Sequence, residues 1–234
     1  MNTEHGKKLA TLVRSLRSKY QVEPPPERDA VEELVLSFLI WEATEAKADA
    51  AMRRMCAAVV DFNELRAARP EDIAGWLGKQ YPRVDERARR LKASLNEIFI
   101  REFAVTLDSC AALNKRDARK YLETLEGMPP YVAARVLLLR MGGHAMPVDG
   151  KLLDRLIDME VVDPGDDEVK AAGILERHVK ADDALETHQL LQAWSDDSDW
   201  QPPRGARSRS EDGVQIARPG KQRSMAAGRG GRGS

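Results

Sequence analysis

Along most of this chain apolar residues return every three or four positions, the period of a helix with one buried face. In "HGKKLATLVRSLRSKY", Leu9, Leu12, Val13 and Leu16 form one such stripe, and basic residues fill the opposite face. The prolines of "VEPPPERD" end it, because proline fixes φ and has no N–H to donate. Stripes recur at Val31, Leu34, Val35 and Phe38, and at Met52, Met55, Cys56, Val59 and Val60. Ile73, Trp76 and Leu77 follow Pro70, and Val84, Ala88, Leu91, Leu95 and Ile98 mark a longer helix. Ala118, Tyr121, Leu122 and Leu125 lead into a turn, beyond which Val132, Leu137, Leu138 and Leu139 predict a helix packed into the core. Leu152, Leu153, Leu156 and Ile157 stop before "VVDPGDD", and two more helices are expected near 169–179 and 185–194. No period-two strand or Asn-Gly hairpin interrupts the series. The pattern predicts about ten helices and an all-α body.

Composition changes abruptly after Trp200. Residues 201–234, rich in Gly, Arg, Ser and Pro, hold too little apolar surface to offset chain entropy, so a disordered tail is expected. The tail carries eight basic and two acidic residues, a charge of +6, and residues 1–200 therefore carry −7. Its ending, "GRGGRGS", resembles short Arg-Gly-Gly segments that make nonspecific contact with nucleic acid, although it would serve equally as a solubilising tail. The acidic body lacks the broad basic surface of a strong nonspecific nucleic-acid binder.

The two cysteines, Cys56 and Cys110, exclude a disulfide scaffold and are expected to be small core residues. No stretch has the apolar length of a membrane span, and no signal peptide is apparent, which predicts a cytoplasmic protein with no membrane partner. His144 and His188 lack metal-ligand spacing and read as ordinary surface or core histidines.

The stretch "LEGMPPYVAARVLLLRMGGHAMPVDG", residues 125–150, carries the chemistry. A helix, a tight turn at "EGMPP" and a second helix form a helix–hairpin–helix. Free N–H groups at the start of the second helix make a site for one phosphate, though the same shape also serves plain packing. Leu125, Gly127, Met128, Ala133, Ala134, Gly143, Val148 and Asp149 stand in register with a family motif. The segment resembles the core of the helix–hairpin–helix DNA glycosylase superfamily, its endonuclease III-like branch especially. The resemblance runs in helix order from Ala30 to Trp194, and its specific part is residues 125–153.

That resemblance implies two helical lobes, a central one spanning 28–142 and a second built from 1–27 with 143–200. It implies a contact with double-stranded DNA through Gly127, Met128, Tyr131 and Val132, and it makes Asp149 the catalytic acid. An aspartate at a helix start is also an ordinary N-cap; there the helix dipole is expected to keep it ionised. Trp41 and Glu42 lie where the family inserts a side chain into DNA, and Glu42 stands where endonuclease III-like enzymes have glutamine. Tyr131 occupies the place of the lysine that forms a Schiff base, which implies no strand cleavage. Lys120 and Lys151, nearby in sequence, are expected to be solvated charges. Pro129 and Pro130 remove two N–H groups from the turn, leaving Met128, Tyr131 and Val132 to grip a phosphate. Two cysteines cannot supply a four-cysteine iron–sulfur cluster, so no cofactor is expected.

The resulting expectation is a monomeric, monofunctional base-excision glycosylase. A catalytically degenerate DNA-binding protein of the same fold and a helical protein-interaction module remain open beside it.

Overall fold

The computed structural model describes residues 3–201, and every regular element among them is helical. The expected basic tail lies, beyond Gln201, outside the described residues. The helices are α1 (Thr3–Lys19), α2 (Ala30–Ile40), α3 (Glu45–Ala58), α4 (Phe62–Ala67), α5 (Pro70–Leu77), α6 (Val84–Glu102), α7 (Asp108–Ala111) and α8 (Lys115–Glu123). They continue with α9 (Pro130–Arg140), α10 (Gly150–Asp158), α11 (Glu168–His178), a 3-10 turn at Ala181–Asp183, and α12 (Ala184–Asp196). The periodicity reading misses only α4, α7 and the 3-10 turn, which are too short to display a helical repeat.

Local chemistry starts these helices where they start. Asp29 accepts from the N–H groups of Val31 and Glu32 at the head of α2, and Asp61, Asn114 and Asp167 cap α4, α8 and α11 in the same way. Pro70 and Pro130 occupy first-turn positions, where a missing N–H costs nothing.

Packing sorts the helices into two groups. α2 is surrounded, lying against α3, α6 and α9, while α5 packs on α3 and α6, and α8 on α7 and α9. The second group brings the first described helix to the last two: α1 packs on α11 and α12, and α10 lies against the same pair. α12 also touches α9, and the buried side chains of both groups form one continuous core.

Inside α2 sits an acid that an apolar stripe would not suggest. Glu33 is fully buried, and its carboxylate accepts from Arg135 Nη1 and, at 2.9 and 2.6 Å, from Arg140 Nε and Nη2. Arg135 also donates to Ser37 Oγ at 3.0 Å, so α2 and α9 are joined by ions where the rest of their contact is apolar.

Two expectations about α3 are corrected. Its buried face is Ala48, Ala51 and Met55, Cys56 is exposed, and Val60 beyond the helix end is 92 % exposed. Small alanines allow close approach of α2, and they displace the stripe that the larger residues implied. Cys110 is buried, as expected, with its Sγ against Ala118 O and Met141 Sδ. Among the described residues no helix is long and apolar enough to cross a membrane.

Candidate active site

The hairpin between α8 and α9 is built from backbone outward. Gly127 sits at φ +75°, a left-handed conformation that side chains rarely adopt, and a Cβ there would lie 2.8 Å from Arg90 O of α6. The rest of the turn is held by α6: Ser94 Oγ donates to Glu126 O at 2.8 Å, and Arg101 Nη2 donates to Thr124 O at 2.8 Å. Gly127→Ala combines backbone strain with a clash against main chain, and should cost about 2–4 kcal/mol in a urea melt.

Pro129 is the N-cap of α9 and Pro130 its first residue, with no side-chain cap. The first N–H to find a helical acceptor is that of Ala133, on Pro129 O. Met128 N–H donates back to Leu125 O at 3.2 Å, so it is not the phosphate donor expected from the sequence. The N–H groups of Tyr131 and Val132 are the pair left to point out of the helix start.

Asp149 caps α10 and also ties the two helix groups together. Oδ1 accepts from Leu152 N–H at 2.9 Å, and Oδ2 accepts from Glu42 N–H at 2.9 Å, across from the α2–α3 loop. Glu42 answers in kind: its Oε1 accepts from Gly150 N–H at 3.1 Å. Glu42 holds φ +58°, a strained conformation for a side-chain residue, and that geometry turns both its N–H and its carboxylate toward α10. Gly150 completes the fit, since a Cβ there would come within 2.8 Å of Glu42 Oε1.

Burial opposes the helix start at Asp149. At 4 % exposure, desolvation pushes its carboxyl above the usual aspartate value, outweighing the bonds from Leu152 and Glu42. Glu42 is raised too, by burial first and by the nearby Asp149 second.

Tyr131 is buried, and its hydroxyl donates to Gln192 Oε1 at 2.9 Å. Gln192 Nε2 donates to Asp196 Oδ1 at 3.0 Å, and Lys151 Nζ reaches the same oxygen at 3.1 Å and Ala43 O at 2.8 Å. Lys151 is therefore not the solvated charge expected. It closes a polar chain from Tyr131 through α12 to the residue after Gly150. Lys120 is exposed.

Trp41 is 7 % exposed, and three guanidiniums of α6 and its approach cover its ring: Arg83 at 5.0 Å, Arg87 and Arg90 at 5.6 Å from the centroid. The ring is packed, not presented for insertion into a base stack. Arg87 is fully buried, donates to Trp41 O and Pro82 O, and is pushed down to about 10 by burial, still cationic at neutral pH. Positions 83, 87 and 90 share one helix face, a spacing visible in "RVDERARR", whereas nothing local marks their shared aromatic partner.

Among the described residues no group of three or more His, Cys, Asp or Glu side chains is placed to hold a metal ion. A four-thiolate cluster does not fit a chain with two cysteines, one exposed and one buried.

No protein-family model and no curated protein sequence matches this chain. Solved structures do. An endonuclease III trapped as a covalent intermediate with DNA is similar at TM-score 0.63 and 14 % identity, over 81 % of this chain and 85 % of that one. A thermostable thymine-DNA glycosylase is similar at TM-score 0.61 and 18 % identity, over 90 % and 93 % of the two chains. The Clostridium acetobutylicum 8-oxoguanine glycosylase/lyase, in complex with duplex DNA holding cytosine opposite 8-oxoG, gives TM-score 0.63 and 16 % identity over 83 % and 70 %. At these identities the likeness establishes architecture, and with the hairpin and the aspartate-capped helix in place, the chain has the fold of the helix–hairpin–helix DNA glycosylases.

Proposed function

We propose that this chain is a monofunctional DNA glycosylase acting as a monomer on double-stranded DNA. The observation that carries the reading is Asp149: a carboxylate at a helix start, on the seam between the two helix groups, with the hairpin on the same chain segment. In the reaction the bond between base and sugar breaks and its electron pair leaves with the base. Asp149 steadies the positive charge on the sugar, and water adds at that carbon and gives up a proton to the carboxylate. Tyr131 supports the absence of a lyase step, since a phenol held by Gln192 offers no amine for a Schiff base. The Tyr131 and Val132 N–H groups would hold one phosphate, and the +6 tail would add salt-sensitive, sequence-independent affinity. No iron–sulfur cluster enters this scheme.

A second reading, a DNA-binding protein of the same fold without catalysis, is favoured by one observation: both Asp149 oxygens are engaged and the residue is 4 % exposed. Duplexes carrying uracil, oxidised pyrimidines, alkylated purines or adenine opposite 8-oxoguanine separate the two. Base release from any of them by the wild type, with nothing trapped by borohydride, supports the first reading. DNA binding without base release from the whole panel leaves the second, and a borohydride-trapped adduct overturns the monofunctional assignment.

A further inference from the structure

Arg87 is the feature that a packed core does not explain. It is fully buried, and its guanidinium meets carbonyls and rings where a buried cation ordinarily meets a carboxylate. Nη2 donates to Trp41 O and, at 3.0 Å, to Pro82 O, which Nε also reaches at 3.3 Å. Its Cζ lies 5.0 Å from the Tyr81 ring centroid and 5.6 Å from that of Trp41. Nη1 has no hydrogen-bond partner among the described residues. Burying a charge in this way is costly, and the two carbonyls are what it holds in place.

Each carbonyl stands one residue before a left-handed one: Glu42 follows Trp41 at φ +58°, and Arg83 follows Pro82 at φ +50°. The first of these peptides is gripped at both ends. Its C=O accepts from Arg87, and its N–H, that of Glu42, donates to Asp149 Oδ2 at 2.9 Å. A peptide unit is planar, so fixing its C=O aims its N–H. A cation on the oxygen also polarises the unit and makes the N–H a stronger donor. Arg87 of α6 and Asp149 at the head of α10 are thus joined through one backbone unit between α2 and α3.

We propose that Arg87 is a positioning residue for Asp149: through the 41–42 peptide it fixes the carboxylate and passes positive charge toward it. The need for such help is visible at the carboxylate. Burial pushes Asp149 up, the N–H bonds of Leu152 and Glu42 and the charge of Lys151 pull it down, and Asp196 adds to the push. Glu42 and Tyr131 also face it. Of the two N–H groups, that of Glu42 has a cation behind it. Around Arg87, burial weighs most against the charge, Tyr81, Glu42 and Tyr131 favour it, and Arg83 opposes it. Arg87 touches neither sugar nor water; it acts on the acid that does. As a contact that tunes Asp149 the relay rests on geometry alone, and its service to base release rests on the glycosylase reading.

The test is an NMR titration of the full chain, with the Asp149 carboxyl resonance assigned by its loss in Asp149→Asn. Arg87→Met keeps the side chain's length and removes its charge and donors, so the Asp149 titration should move to higher pH than in the wild type. Arg87→Lys keeps the charge on one nitrogen in place of three, and should move the titration less, in the same direction. With a substrate that the wild type cleaves, Arg87→Met should lower kcat about ten- to a hundredfold and leave KM unchanged. The acid limb of its pH profile should rise with the carboxyl. In the wild type itself, the Glu42 amide proton and the Arg87 guanidinium resonances should shift together as Asp149 takes up its proton, and Asp149→Asn should lack that step. This readout needs no variant at Arg87, so it decides the question even where both variants fail to fold: resonances that ignore the Asp149 titration overturn the relay. A folded Arg87→Met protein with the wild-type Asp149 titration overturns it too, as does a loss of kcat with an unmoved acid limb, which a merely structural arginine would give. The carboxyl and amide readouts need no base release, so a chain that cleaves no substrate loses the glycosylase reading and leaves the relay standing.

Discussion

Asp149→Asn should lower base release by about two to four orders of magnitude and destabilise the fold less than Asp149→Ala does. Asparagine caps a helix as well as aspartate does, so its Oδ1 can still accept from Leu152 N–H, while its Nδ2 cannot accept from Glu42 N–H and that tie is lost. What it loses is the negative charge that a sugar cation needs. Asp149→Ala behaves differently: it removes the cap of α10 and the tie to Glu42 together, and should cost about 2–3 kcal/mol by adding a lost cap to a lost charge-assisted bond. A residue that is only a cap would separate the two variants in melts and leave their activities alike. A catalytic acid makes both inactive while the alanine variant, which loses the cap as well, melts earlier than the asparagine one.

The pH dependence of stability supplies a second signature of the same residue. Burial raises the folded-state carboxyl above the 3.8 of an exposed aspartate, so the proton binds more tightly to the folded protein than to the unfolded chain. Its stabilising contribution is fully present below that ordinary value and is lost as pH rises through the folded-state value. The stability of wild type relative to Asp149→Asn should therefore fall across that window. Glu42 is shifted in the same direction, so the decline shrinks further in the Glu42→Gln background. A wild type that gains on Asp149→Asn as pH rises would refute the burial argument.

The largest loss of stability is expected at Glu33. Truncating it to alanine strands Arg135 and Arg140 facing each other in a nearly closed space, with side-chain exposures of 7 and 12 %. Removing one member of a buried ion pair costs about 3–5 kcal/mol, mostly the penalty of leaving the partner charge unpaired. Urea unfolding should show a lower midpoint with the same slope. Added salt should restore little, because buried charges are poorly screened. Replacing all three residues by apolar ones of similar volume should recover most of the loss, since desolvating the network consumes much of what its attraction returns.

Much of the helical skeleton was legible because helices announce themselves locally. The stripes at Val84–Ile98 and Leu152–Ile157 are the buried faces of α6 and α10, and Asp149 is where a cap should be. What escaped was everything decided across long stretches of chain. The Glu42–Asp149 contact joins positions 107 apart, and no pattern near either residue signals it. Trp41 at a helix end could face DNA or protein, and the choice was made by the guanidiniums of Arg83 and Arg90, far along the chain. Glu33 is invisible for the opposite reason: a charge within an apolar run reads as a surface position until its two arginines arrive from α9. The α3 stripe failed through volume, since the alanines that let helices approach look weaker in a sequence than the larger residues beside them.

The packing of α1 on α11 and α12 has a consequence for synthesis. Apart from the contact of α9 with α12, helices α2 to α9 find their packing partners within their own stretch of sequence, so a ribosome can release them as a nearly finished body. α1 emerges before them yet packs on α11 and α12, and Arg17 waits for Glu186, 169 residues away. α10, which bears Asp149 at its head, likewise depends on α11 and α12 for its apolar face. The part of the molecule that carries Asp149 is thus completed only after α12 has left the ribosome.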